Sequence, residues 1–198
     1  MTSFDLSFDY RCPFAKNIHL HVINALEAGA DFDVRFVPWT LSQGYRDEGA
    51  PDVWADPERD ADLLSLAVGV SIHDQQPNAF LAAHGALFRA RHERGIRLVA
   101  FDEIEHALDG VDVDVDAIRI DVESRRPHEV IASSYREFER YEAFGVPTFV
   151  VDGDATFVRY MTGPTDNPMD SVKIIDSLVT LMESEGDLNE FKHTRLPR

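Results

Sequence analysis

A period-two strand, a proline-started helix and a second apolar strand follow one another within residues 4–38, an order that leaves the chain few folds to choose from. Phe4, Leu6 and Phe8 alternate with Asp5, Ser7 and Asp9, the pattern of a strand with one apolar face. The pattern breaks at Tyr10-Arg11-Cys12-Pro13. Ile18, Val22, Ala25 and Leu26 then recur at helical spacing between Phe14 and Ala28, and Gly29 ends the run. Pro13 sits in the first helical turn, where its missing N–H costs nothing. Phe32 to Val37 reads as a second strand and stops at Pro38. Strand, helix, strand over so short a span is a βαβ unit, with parallel strands and a right-handed crossover.

The remainder divides in two. Gly44 to Pro57 is rich in Gly, Asp and Pro and reads as loop. Helices are expected over Arg59–Val70, Pro77–Gly95, Phe101–Leu108 and about Pro127–Phe144, with a short one near Ala117–Ile120 capped by Asp114 or Asp116. Thr148–Asp152 and Thr156–Tyr160 read as two strands around a Gly153-Asp154 turn, and Pro168–Glu185 as a closing helix. The fold class is therefore α/β, with core segments 1–39 and 144–198 and a helical insertion at 40–143. The tail, 191–198, is locally basic.

Composition removes several functions. Nineteen basic residues against 36 acidic ones leave a net charge of −17, which repels phosphate backbones and anionic lipid; neither nucleic acid nor membrane is an expected partner. The acidity also fits a GC-rich genome or a salty habitat. No apolar run approaches the roughly 20 residues of a membrane span. The first residues, Met1 to Asp9, lack the basic and apolar regions of a signal peptide, so the expected compartment is the cytoplasm. With one cysteine, an internal disulfide is impossible.

That cysteine is the main chemical candidate. Cys12 stands between a strand and a helix start, where free N–H groups and the positive end of the helix dipole stabilise a thiolate. Arg11 and Lys16 are expected to help, making Cys12 a partly exposed, acidic thiol. A lone cysteine is also often a small buried hydrophobe, and position alone leaves both readings standing. Other candidates weigh less. Asp112, Asp114, Asp116 and Glu123 have the spacing of a calcium loop, but Ala117 stands where glycine must turn, so helix capping is the better reading. His19 and His21 face different sides of one helix, and no metal cluster is expected. Trp39 and Trp54 read as core or pocket-lid residues.

Tyr10-Arg11-Cys12-Pro13-Phe14-Ala15, after the first strand, resembles the active-site turn of the thioredoxin fold. Val146-Pro147-Thr148, within Gly145-Val146-Pro147-Thr148-Phe149, resembles the cis-proline loop that faces that turn. The helical block between the second and third strands is similar to the insertion of the DsbA-like branch, as is the run from Asp114 to Arg119. Asn189 to Arg195 resembles the end of FrnE-like actinobacterial members linked to mycothiol. The resemblance implies Cys12 as nucleophile, with Arg11, Pro13, Phe14, Ala15, Val146 and Pro147 binding the substrate or co-substrate thiol. It also implies a cis Val146–Pro147 bond that turns the Val146 backbone toward the thiol.

The chain departs from the family pattern where dithiol members carry a second cysteine; Ala15 stands there. What the resemblance implies is thus a monothiol thiol–disulfide oxidoreductase, with no tightly bound cofactor. Mycothiol or glutathione would be its resolving co-substrate, a small-molecule or protein disulfide or electrophile its substrate, and a homodimer is allowed. The alternative is a thiol-cofactor transferase or isomerase, like the kappa-class glutathione transferases and 2-hydroxychromene-2-carboxylate isomerases, which use the same helix start to activate the cofactor's thiol. A binding module that kept the scaffold is the third class.

Overall fold

The strand nearest the start of the chain becomes the centre of the sheet. In the computed structural model, which describes residues 2–195, β1 (Thr2–Phe8) lies between β2 (Phe32–Pro38), parallel to it, and β3 (Thr148–Val151), antiparallel. β4 (Asp154–Phe157) completes the order β2-β1-β3-β4. Met1 and residues 196–198, the end of the basic tail, lie outside the described residues. The alternation in β1 delivers Phe4, Leu6 and Phe8 to the core, but Ser7 is buried as well. Its hydroxyl accepts the Thr148 N–H at 2.8 Å, so the buried oxygen keeps a partner.

α1 (Pro13–Glu27) joins β1 to β2 and is covered on more than one side. His19 faces α4 (Pro77–His92) and His21 faces α8 (Pro168–Ser184), whose Ser171 hydroxyl lies 3.0 Å from His21 Nδ1. Between β2 and β3 the chain is helical: α2 (Leu41–Gly44), a 3₁₀ turn at Pro57–Arg59, α3 (Asp60–Gln75), α4, α5 (Phe101–Ala107), α6 (Val115–Glu123) and α7 (Arg126–Glu139). Asp114 caps α6, its carboxylate accepting the Ala117 N–H at 3.0 Å, which is the capping role the acidic run suggested. Trp39 stacks on Tyr135 of α7 at 5.0 Å, inside the core.

Several boundaries differ from the sequence expectation. α3 runs on to Gln75 rather than Val70, because nothing breaks it before Pro77, which bars Gln76 from helical geometry. α4 stops at His92 before Gly95, and α7 at Glu139, short of Phe144, with Glu142 in the left-handed region at φ 55°. The hairpin turn is Asp152-Gly153, both at positive φ, so β4 begins at Asp154 and not at Thr156. It ends at Phe157 because the next position across the ladder is Pro147, whose carbonyl accepts the Val158 N–H but which has no N–H to return, and beyond it Asn17 of α1 donates to the Tyr160 carbonyl. That departure steers residues 158–160 toward the start of α1.

A buried polar chain fixes the strand end that leads into Cys12. His19 Nε2 lies 3.1 Å from the Ser7 carbonyl, which only accepts, so Nε2 carries the proton. Neutral His19 then accepts at Nδ1 from His84 Nε2 at 2.9 Å, and His84 Nδ1 accepts from the Tyr10 hydroxyl at 2.7 Å. Every proton position follows from that one carbonyl. Burial keeps both rings neutral: it lowers the His19 pKa to about 3 and that of His84 well below the usual histidine value. Tyr10 is held from its far side too, because α3 carries Gly69 where the phenol ring lies closest.

Candidate active site

Cys12 occupies the N-cap of α1, the junction at which β1 turns through Asp9, Tyr10 and Arg11 into the helix. Its N–H donates to the Asp9 carbonyl at 3.0 Å, closing that turn. Its Sγ accepts the Ala15 N–H at 3.5 Å and lies 3.1 Å from the Val146 carbonyl, to which the thiol donates. The chain thus brings together two segments 134 residues apart. The Val146–Pro147 bond is cis, and both residues are buried. The Thr148 hydroxyl donates to the Gly145 carbonyl at 2.8 Å and braces the loop. Pro13 is exposed, Phe14 half-buried, and Ala15 has 0% exposure.

The expected activation of the thiol needs correction in two respects. Cys12 is only 7% exposed, not an open thiol. Burial pushes its pKa up; the N–H groups of Ala15 and Phe14 oppose that shift, Asp9 adds to it and Arg159 opposes it. Arg11 gives no such help. Its guanidinium turns away to Asp9, at 2.8 and 3.1 Å, and to the hydroxyls of Ser42 and Thr40. Buried Asp9 requires that partner, and it also accepts the N–H groups of Arg11 and Leu41. Lys16 is likewise committed, to Glu93 of the turn after α4 at 3.3 Å. Arg11 is therefore a structural clamp for the loop, not an activator of the cysteine.

Among the described residues, the cation that acts on Cys12 is Arg159, which no local pattern singles out. Arg159 follows Val158, which is bonded to Pro147, and precedes Tyr160, which is bonded to Asn17. Its guanidinium lies over the Phe14 ring at 4.9 Å and within 5.9 Å of the Phe157 ring centroid. Phe144, 76% exposed, packs on Phe157 at 5.1 Å, so an aromatic rim borders the cysteine on the side of the cis-proline loop. His92 was also missed; its Nε2–H donates to the Tyr10 carbonyl at 2.8 Å, and burial lowers its pKa. Among the described residues no group of three or more His, Cys, Asp or Glu side chains is arranged to hold a metal ion.

The family model of the DSBA-like thioredoxin domain matches residues 4–169, which includes the cysteine, the helical insertion and the proline loop. The chain belongs to the DSBA-like thioredoxin domain family. Solved structures agree on the fold. A probable DsbA oxidoreductase from Streptomyces coelicolor is 14% identical and superposes with a TM-score of 0.63, over 99% of this chain and 94% of its own. MdbA, a thiol-disulfide oxidoreductase from Actinomyces oris, is 18% identical with a TM-score of 0.62, over 90% and 79% of the two chains. DsbA from Pseudomonas aeruginosa is 23% identical with a TM-score of 0.52, over 93% and 85%. No curated protein matches the sequence.

Within a DSBA-like domain, this site can do what a single thiol does. It can attack an electrophilic sulfur or carbon and hold the product covalently. It has no second sulfur with which to release that product, because the chain holds one cysteine and the buried residue one turn on is alanine.

Proposed function

We propose that the protein is a monothiol thiol–disulfide oxidoreductase in which Cys12 is the nucleophile. The Cys12 thiolate attacks one sulfur of a disulfide, the substrate S–S bond breaks, and a mixed disulfide forms as the other sulfur leaves and takes up a proton. Cys12 is oxidised and the substrate reduced by the same two electrons. An external low-molecular-weight thiol, mycothiol or glutathione, then attacks the adduct sulfur; the bond to Sγ breaks, a disulfide between that thiol and the substrate half is released, and Cys12 leaves as the free cysteine. The reading suits a thiol-rich compartment such as the cytoplasm. It is supported by the place of Cys12, hydrogen-bonded to the Val146 carbonyl at the start of α1 with Ala15 beside it. Phe14, Pro13, Val146 and Pro147 form the binding surface in this proposal.

The burial and raised pKa of Cys12 favour, as a second reading, the transferase or isomerase type, in which the helix start activates a bound cofactor's thiol instead. Exposure to a small disulfide followed by intact mass measurement separates the two. The expected result is one thiol adduct on the wild-type chain and none on Cys12→Ser. Tight thiol binding without an adduct would favour the transferase reading and sink the first.

A further inference from the structure

Among the described residues, Arg159 is a cation beside Cys12 that has no anionic partner. Arg11 is spent on Asp9 and Lys16 on Glu93, whereas Arg159 makes neither ion pair nor hydrogen bond among the described residues. It is nevertheless held in place. Backbone bonds on both neighbours tie it to Pro147 and to α1, and the rings of Phe14 and Phe157 lie under its guanidinium. Neither ring offers an anion, so the guanidinium keeps the N–H fork that fits a carboxylate. Phe14 stands two residues from the cysteine, so an anion at that edge is close to whatever is bonded to Sγ.

We propose that Arg159 is a specificity-determining residue, selecting for attack by Cys12 those disulfides that carry a carboxylate a short way from the reacting sulfur. The inference rests on the oxidoreductase reading and names the chemistry of its substrate. The attack is balanced as described above: the Sγ–S bond forms, the substrate S–S bond breaks, and the departing thiolate is protonated by water. Arg159 takes part in no bond change; it pairs with the substrate's carboxylate before and after. The surrounding negative field repels such a substrate at long range, so the local pairing decides whether it is accepted.

The test uses three disulfides of nearly equal size: dithiodipropionate, a dianion; hydroxyethyl disulfide, which is neutral; and cystamine, a dication. The rate of mixed-disulfide formation is measured for each by intact mass, at low salt, on wild type, Arg159→Gln and Arg159→Lys. Taking ratios to the neutral compound cancels any change in the acidity of Cys12, which all three reactions share. Arg159→Gln should lower the dianion ratio about fivefold, the value of one exposed ion pair, and raise the dication ratio. Arg159→Lys should retain most of the wild-type ratio, and added salt should erode it in wild type. Equal ratios in wild type and Arg159→Gln would overturn the inference while leaving the oxidoreductase reading intact. Failure of all three compounds to add to wild-type Cys12 would refute that reading, and the inference with it.

Discussion

Two opposing influences meet at the sulfur of Cys12. Desolvation raises the pKa, and the N–H groups of Ala15 and Phe14 lower it by hydrogen-bonding the thiolate; burial prevails. The resting thiol donates to the Val146 carbonyl, an acceptor that has nothing to offer a thiolate. Alkylation with iodoacetamide across a pH series should therefore give a midpoint above the free-cysteine value of about 8.5, with the rate rising as pH rises. Arg159→Gln should move that midpoint further up, since it removes a positive charge that favours the thiolate. A midpoint below about 8.5 in the wild type would mean that the helix start outweighs burial. Cys12 and Pro13 were legible in the sequence because they sit at a break in a regular pattern, and Val146 and Pro147 through their resemblance to a cis-proline loop. Arg11 was misread and Arg159 overlooked for one reason. Adjacency in sequence suggested a neighbour that the buried Asp9 had already claimed, while the true neighbour arrives from 147 positions away through the ladder beside Pro147.

The elements around α1 are held by a polar chain and by one close approach. β1, α1 and α4 meet in the Tyr10–His84–His19 chain, and α3 meets β1's extension at Gly69. A Cβ at Gly69 would stand 2.6 Å from the Tyr10 hydroxyl oxygen and 2.8 Å from its Cε2, distances no neighbour tolerates. Tyr10 cannot move aside without breaking its bond to His84. Gly69→Ala should therefore destabilise the protein by about 1–3 kcal/mol, overpacking that exceeds the roughly 1 kcal/mol an alanine gains in a helix interior. Urea denaturation would measure it, and a variant as stable as wild type would show that the ring gives way freely. The helices themselves were readable from proline starts, caps and apolar spacing. The chain that locks them was not. Its members lie 65 and 74 residues apart, and a histidine inside an apolar helix face looks the same whether or not another histidine waits opposite.

At the scale of the whole molecule, the βαβ unit of the first 38 residues together with the later helices and hairpin was enough to indicate the sheet, since that order admits few arrangements. What they could not convey is how the late strands return to β1. That is decided by pairs such as Ser7 with Thr148 and Cys12 with Val146, and no local pattern announces them. The same return brings the chain's single cysteine to a site with no second thiol, and the proposed mechanism depends on that fact. It is tested by preparing the Cys12 mixed disulfide with hydroxyethyl disulfide, removing the excess reagent, and following the intact mass over time. The wild-type adduct should persist until mycothiol or glutathione is added and then clear with a rate proportional to the thiol. In Ala15→Cys it should clear unaided, leaving a disulfide between the two positions, which lie one helical turn apart. A wild-type adduct that clears at the same rate without added thiol would contradict the monothiol mechanism.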